Sequence, residues 1–501
     1  MPAGSVRDVP EMQEDGQVTS AVRAAEPAPS GRWAGVAGRR WAGVARRHRW
    51  FLGVLALGTL LRALAMLGYR PALWFPDSYT YIVTVFKPRP DLVRPAGYSM
   101  FITLLEPFHS FAVVAAAQHL LGLGTGVLIY RVARKAPKWA ATLATVPVLL
   151  DAYQVELEHL LVSDTLFMFL VVSAVALCTT QRTSTVAAIG LLLAAATLTR
   201  TVGQPLIVVL AAWFVLRRRI RLAGVLVAAA LVPIVAYGAW FYATYQRVGL
   251  VGANGAFLYA RTMSFADCAK MNPPPDLKVL CDPRPPEQRP PSQEYIWAED
   301  APLVMLPGIT FTKENDDLAA RFAMLAIVKQ PLDYAGSVLT ELGRTFRWDR
   351  AVYPDQEVYS YYQFPVTPPG PPGRYPAQVG AEYAKLYEQG AIGTEIVEPY
   401  AGWLRAYQSM ARLPGPVLLV VLLVPPVAAI ARRRKAERLA GAPSWLVPWS
   451  VAVVLLITPA AAAEFDYRYV LPAVPLACLA AALSIRPDLG NQSGSQKEFS
   501  E

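Results

Sequence analysis

Charge is the first thing this chain is short of. Of its 501 residues, 17% are Asp, Glu, Lys or Arg, against roughly 25% in ordinary soluble domains. Histidine and cysteine are scarcer still, at four each, and neither forms a compact cluster of the kind that holds a metal. No internal repeat is visible. What is abundant is apolar sequence, 54% of the chain, with a positive mean hydropathy. Several runs approach the roughly 17 to 25 residues that a bilayer demands of a helix. The chain therefore reads as an all-α polytopic membrane protein.

A net charge of +10 would suit a nucleic-acid partner only if it formed one surface, and it does not. The basic residues fall in short clusters between apolar runs: Arg39, Arg40, Arg46, Arg47 and Arg49; Arg131, Arg134, Lys135 and Lys138; Arg217, Arg218, Arg219 and Arg221; Arg432, Arg433, Arg434, Lys435 and Arg438. Segments poorer in Lys and Arg alternate with them, the positive-inside pattern. No nucleic acid is implied, and membrane lipids are the expected contact.

This alternation gives about ten spans with both termini in the cytoplasm. The first, 51–68, has no small-residue cleavage site behind it and is expected to remain as helix one. Further spans are expected at 111–130, 139–150, 160–178, 184–199, 205–216, 222–242, 416–431, 446–462 and 469–484, with a bend at Gly203 and Pro205. The organisation follows: a disordered tail (1–49), a membrane module carrying the outer loops (50–242), a mixed extracytoplasmic domain (243–413), the last helices (414–485) and a second disordered tail (486–501). Segment 243–413 far exceeds the roughly 12 to 15 residues of an unstructured connection. Apolar spacing predicts amphipathic helices within it at 316–327 and 334–346.

Cys268 and Cys281 lie in this external segment and are expected to pair in an oxidising compartment, whereas Cys178 and Cys478 sit in apolar spans as packing residues. Asp77 begins the run Asp77-Ser78-Tyr79-Thr80-Tyr81 soon after helix one, and Arg94-Pro95-Ala96-Gly97-Tyr98 follows. One loop thus offers a carboxylate, a cation and aromatics. Asp77 reads either as a turn former or cap, or as a positioned acid on a short interfacial helix whose stripe of Tyr79, Tyr81 and Phe86 faces lipid. Asp164 opens an apolar helix, as a cap or as an acid facing a cavity, with Glu156 and Glu158 as alternatives. Arg94, Arg200, Arg261 and Arg468 are cations on the outer side, against the general trend. Their partner is a lipid phosphate or a local acid, which for Arg468 means Glu464 or Asp466.

Pro76-Asp77-Ser78-Tyr79, Arg94-Pro95-Ala96-Gly97-Tyr98, Ser163-Asp164-Thr165-Leu166-Phe167 and Tyr467-Arg468-Tyr469-Val470-Leu471-Pro472, in this order, resemble the markers of GT-C membrane glycosyltransferases. The nearest branch uses polyprenyl-phosphate sugars and includes protein O-mannosyltransferases and lipid A aminoarabinose transferases. The resemblance implies that Asp77 is the first-loop catalytic acid and that Asp164 stands at the second outer-loop acidic position, where the family more often has Glu. It implies a polyprenyl-phosphate-linked sugar as donor, bound among Arg94, Tyr98, Arg200, Arg261, Tyr467, Arg468 and Tyr469, and a glycan, lipid or protein acceptor. Some GT-C enzymes use a metal, so Asp77 with Asp164 is a candidate pair for a divalent ion. A lipid-linked glycan flippase is the alternative reading, and a non-catalytic assembly or receptor protein a third.

The orientation is testable. A cysteine placed at Lys135 should resist labelling by a membrane-impermeant thiol reagent applied from outside, while cysteines across 243–413 should react. Strong external labelling at position 135 would invert the topology.

Overall fold

Where no water reaches the backbone, each segment has to satisfy its own N–H and C=O groups, and apolar sequence with few breakers does so as helix. The computed structural model describes residues 46–180, 182–350, 352–368, 370, 375–433 and 444–485. Both expected tails (apart from residues 46–49), Arg39, Arg40, Arg434, Lys435 and Arg438 lie outside the described residues.

Among the described residues, four helices are long and apolar enough to cross a membrane: Arg49–Gly68, Phe111–Ala133, Ile220–Tyr245 and the composite Tyr467–Ser484. Six shorter apolar helices accompany them, at Lys138–Leu150, Asp164–Leu177, Thr183–Thr199, Thr201–Leu216, Gly415–Ala431 and Leu446–Ala462. They share one apolar core built around residues such as Ile129, Phe167, Leu193, Leu226 and Leu455. Ile220–Tyr245 is two-faced: Leu226, Ala230 and Phe241 are buried, while Val232 and Val235 stay open on the side left to lipid.

The structure departs from the sequence reading in three places. Segment 138–150 is two short helices, Lys138–Leu143 and Val146–Leu150, because Pro147 can begin a helix but cannot continue one. The helix expected from residue 160 begins at Asp164, since Leu160 is extended and bridges Leu73. Helix Pro76–Phe86 turns its aromatic stripe inward, with Tyr79 and Tyr81 buried beside Tyr98, Phe111 and Tyr387 rather than facing lipid.

The long segment after Ile220–Tyr245 is largely short helices. Lys313–Lys329 and Pro331–Arg344 occupy the two places where apolar spacing predicts helix. Lys313–Lys329 packs on Asn254–Thr262 around buried Tyr259, Tyr295 and Phe322. A disulfide joins Cys268 to Cys281 at the rim of this cluster, with Cα atoms 6.1 Å apart. The one sheet among the described residues pairs Tyr69–Arg70 antiparallel with Glu395–Ile396, tying the end of helix one to the late part of the segment.

One ion pair locks helix one to the short helix Ala152–His159 that precedes Asp164. Glu158 is fully buried and accepts Arg62 Nε and Nη2 at 2.7 Å each. Arg62 also donates to the Gly58, Leu149 and Val148 carbonyls, so its donors are spent on this corner. Gln154 and the His119 ring complete the shell around the carboxylate, at 3.0 and 3.2 Å. Gly122 makes the space: a Cβ there would lie 2.0 Å from Glu158 Oε1.

Arg62→Met strands a buried carboxylate and should cost about 3–5 kcal/mol. Removing both charges in Arg62→Met/Glu158→Leu should be less damaging than the single change. Thermal unfolding of the purified protein in detergent measures both; a single variant as stable as wild type would show that the pair contributes nothing.

Candidate active site

A single parallel bridge between Leu73 and Leu160 brings the two aspartates together. Leu73 N–H donates to the His159 carbonyl at 3.0 Å, and Leu161 N–H donates to the Leu73 carbonyl at 3.0 Å. From this parallel bridge two helices depart, Pro76–Phe86 and Asp164–Leu177, each with its aspartate in the first turn, where the helix dipole favours an anion. Ser78 Oγ accepts from Phe75 N–H at 3.0 Å and donates to the Leu161 carbonyl at 2.8 Å. Tyr81 donates to Ser163 Oγ at 3.1 Å, fastening the second helix start to the first.

Three arginines meet three aspartates there. Asp77 Oδ1 accepts Arg94 Nη2 at 2.5 Å and Oδ2 accepts Arg468 Nη1 at 3.1 Å. Arg468 turns its Nε to Asp466 Oδ2 at 3.0 Å, which also accepts the Tyr362 hydroxyl at 2.8 Å. Arg200 pairs with Asp164 Oδ1. Aromatic faces cover the cations: Arg468 lies 4.4 Å from the Phe75 centroid, and Tyr469 faces Arg200 at 4.9 Å and Arg468 at 5.3 Å. Burial by itself raises the Asp77 carboxyl, but Arg94 and Arg468 outweigh it and hold the group well below the usual carboxylate range. Asp164 Oδ2 is buried with no hydrogen-bond partner.

Of the residues singled out in the sequence, Asp77, Asp164, Arg94, Arg200, Arg468 and Tyr469 form this cluster. Three others stand elsewhere. Tyr98 is buried and donates to Gln118 Oε1 at 2.7 Å. Arg261 is spent on the Ala460 carbonyl, Ser264 and Ser337. Tyr467 packs edge-on against Tyr153. Glu156 and Glu158 are not substitutes for Asp164 here: Glu158 belongs to Arg62, and Glu156 is fully buried with both carboxyl oxygens unpartnered, its carboxyl pushed well up by burial against Arg350 and Gln408. Asp466 is one of the two local acids expected for Arg468 and does pair with it, whereas among the described residues Glu464 does not; Tyr362 joins the cluster without having been singled out.

The donor set does not fit a divalent ion. Both Asp77 oxygens face guanidiniums, and among the described residues no three His, Cys, Asp or Glu side chains converge in a metal-binding group.

Beside the cluster, at the corner leading to Asp466, one hydroxyl serves two acids. Tyr353 lies 2.9 Å from Glu464 Oε1 and 3.1 Å from Glu341 Oε1, with one proton to donate. Burial, followed by the nearby Glu341 charge, pushes the Glu464 carboxyl up to about 7, against the pull of Tyr353 and the Ser292 and Gln293 N–H groups.

No family model matches the chain, and no curated protein matches it. Among solved structures, the apo oligosaccharyltransferase of Archaeoglobus fulgidus overlaps 87% of this chain and 50% of its own, at 13% identity and a TM-score of 0.41. The same enzyme tethered with an acceptor peptide containing the NVT sequon overlaps 88% and 50%, again at 13% and 0.41. ArnT from Cupriavidus metallidurans bound to undecaprenyl phosphate overlaps 87% and 77%, at 14% identity and 0.34. These are GT-C family members, and the chain spans half the length of the oligosaccharyltransferase. Scores of this size leave function to be argued from the residues themselves.

Glu464 gives a pH signature. Its carboxyl titrates near 7 when folded, above its ordinary value of 4.5, so the folded state holds the proton more tightly and stability should fall as pH rises from about 4.5 through 7. Glu464→Gln should remove that part of the slope. Melting temperatures across this range compare the two proteins; parallel curves would show that Glu464 does not titrate in the window.

Proposed function

We propose that the chain is an inverting glycosyltransferase that moves a sugar from a polyprenyl-phosphate donor to an acceptor hydroxyl at the outer face of the membrane. The observation that carries this reading is Asp77 held between Arg94 and Arg468, beside Asp164 with Arg200, at the ends of apolar helices. Guanidiniums bind phosphate in the same bidentate manner as carboxylate. A lipid phosphate is thus a natural competitor for the two arginines that mask Asp77.

That competition answers a difficulty in the resting arrangement. An acid whose proton affinity is depressed by two cations is a poor base. With Arg94 and Arg468 turned to the donor phosphate, Asp77 regains basicity as the phosphate enters, so donor binding and base activation are one event. The acceptor oxygen then attacks the anomeric carbon opposite the phosphate, and its proton passes to Asp77. The carbon–oxygen bond to phosphate breaks, its electron pair leaves with the lipid phosphate, and the arginines stabilise the charge that develops there. Direct displacement inverts the anomeric centre. Asp164 Oδ2, buried without a partner, is an acceptor that a sugar or acceptor hydroxyl would satisfy. The lipid phosphate leaves as a stable anion and needs no separate general acid.

Asp77→Asn keeps size and removes the base, so transfer should fall by about 10²-fold to 10⁴-fold while donor binding persists. Arg468→Gln or Arg94→Gln should weaken binding of the donor phosphate instead. Release of polyprenyl phosphate from a labelled donor in liposomes, with lipid scrambling followed in parallel, measures both. A wild-type protein that moves the lipid across the bilayer but never cleaves the sugar–phosphate bond would be a flippase and not a transferase.

A further inference from the structure

A second cationic recess lies behind the Asp77 cluster, across one turn of chain. Tyr467 lines this recess while the next residue, Arg468, reaches Asp77. The recess is shallow, with a cavity of about 30 Å³ open to solvent, and four arginines line it: Arg344, Arg347, Arg350 and Arg412.

Their partners distinguish them. Arg344 pairs with Glu341 and covers the Tyr353 ring at 3.7 Å. Arg350 donates to the Tyr359 and Tyr362 carbonyls amid a cage of tyrosine rings, so it is structural. Arg412 pairs with Asp349, a side chain 86% exposed, at 2.9 Å. The Arg347 guanidinium has no hydrogen bond or ion pair among the described residues, and it is exposed.

Two acids oppose this charge weakly. Asp349 is turned to solvent with Arg412. Asp151 spends its oxygens on the N–H groups of Tyr153, Gln154 and Leu413, as a helix cap. The recess therefore presents net positive charge.

Its other wall is apolar. Leu413, Leu418, Val470, Leu471 and Val474 line it, and they belong to the apolar helices Gly415–Arg433 and Val474–Ser484 or to the turns that lead into them. The two walls are held in register by a close approach at Gly415, where an added Cβ would lie 2.4 Å from the Thr345 carbonyl and 2.5 Å from that of Arg347. Only glycine lets the apolar helix start directly on the turn that carries the free arginine.

A cationic rim over an apolar wall at the end of membrane helices matches one chemistry: a phosphate ester on a hydrocarbon chain. We infer that this recess seats the phosphate head of a membrane lipid, with Arg347 and Arg412 on the phosphate oxygens and the first chain carbons against Leu413 and Phe465, the half-buried apolar side chains of the lining. It is a phosphate site separate from Arg94 and Arg468, and it depends on the chain lying in a membrane, not on transfer at Asp77. A free phosphate ion shares the arginine chemistry but gains nothing from the apolar wall, which separates the two sources.

A dodecyl phosphate carrying a photoactivatable diazirine at its chain end is the probe, used with the full chain in detergent. It should label peptides covering 413–418 and 465–470. Arg347→Gln/Arg412→Gln should reduce that labelling about tenfold, and Asp77→Asn should leave it intact. The uncharged dodecanol probe should label these peptides about tenfold less, and inorganic phosphate at the probe's concentration should not compete. Where the double variant fails to fold, Arg347→Gln alone carries the test, because its side chain holds nothing in place. Labelling unchanged by Arg347→Gln, equal labelling by dodecanol, or full competition by inorganic phosphate would each overturn the inference. Labelling lost in Asp77→Asn would also overturn it by placing the lipid at the other cluster, while loss of sugar transfer alone would bear only on the function proposed for Asp77.

Discussion

A charge removed from water has to be neutralised where it stands, and in this chain that constraint is met first at Glu158. Its carboxylate, fully buried, is gripped by Arg62 from the middle of helix one. The region around the two aspartates is measured from that point. Gln118 donates to the Glu158 and Leu160 carbonyls at 3.0 and 2.8 Å, so the backbone that runs from the pair into the parallel bridge is held from a third helix. Leu161 then offers its carbonyl to Ser78, one residue from Asp77, and Ser163 receives Tyr81 one residue before Asp164. The ion pair is structural, yet both candidate acids take their positions through it.

The Asp77 cluster obeys the same constraint to a different end. Three aspartates and three arginines balance: Arg468 divides itself between two acids and two rings, Arg200 adds the Tyr469 face to Asp164, and Arg94 pairs with Asp77. Such a cluster is neutralised by its own side chains, and the function proposed for it has a phosphate take the place of the Asp77 carboxylate on Arg94 and Arg468. Glu158 with Arg62 has no such freedom, because its cation also binds three backbone carbonyls. Two buried ion-pair systems thus differ: one is tied to backbone carbonyls through its arginine, and the other consists of side chains paired with side chains.

Segment 464–470 links these regions. Glu464 meets Glu341 through Tyr353, Asp466 and Arg468 enter the Asp77 cluster, and Tyr467 faces the second recess. Protonation at Glu464 is therefore felt one residue from the Phe465 N–H that Glu341 holds at 2.9 Å, close to both cationic sites.

The ten apolar runs were legible because helix formation in apolar surroundings is local: length, hydropathy and the absence of breakers lie within each segment. The motifs around Asp77, Asp164 and Arg468 were legible for a related reason, since charged residues in apolar sequence are costly and stand out. What sequence could not supply was pairing. Asp77 and Arg468 are 391 residues apart, and no local pattern tells Arg468 to divide itself between Asp77 and Asp466, or assigns Arg261 to the Ala460 carbonyl instead of the cluster. The inward turn of Tyr79 and Tyr81 was hidden likewise, because an aromatic stripe looks the same whether lipid or another helix covers it. Composition and periodicity determined which segments are helical and which acids are unusual; the tertiary structure decided which cation each acid meets, because electrostatic pairing depends on distance in space and not along the chain.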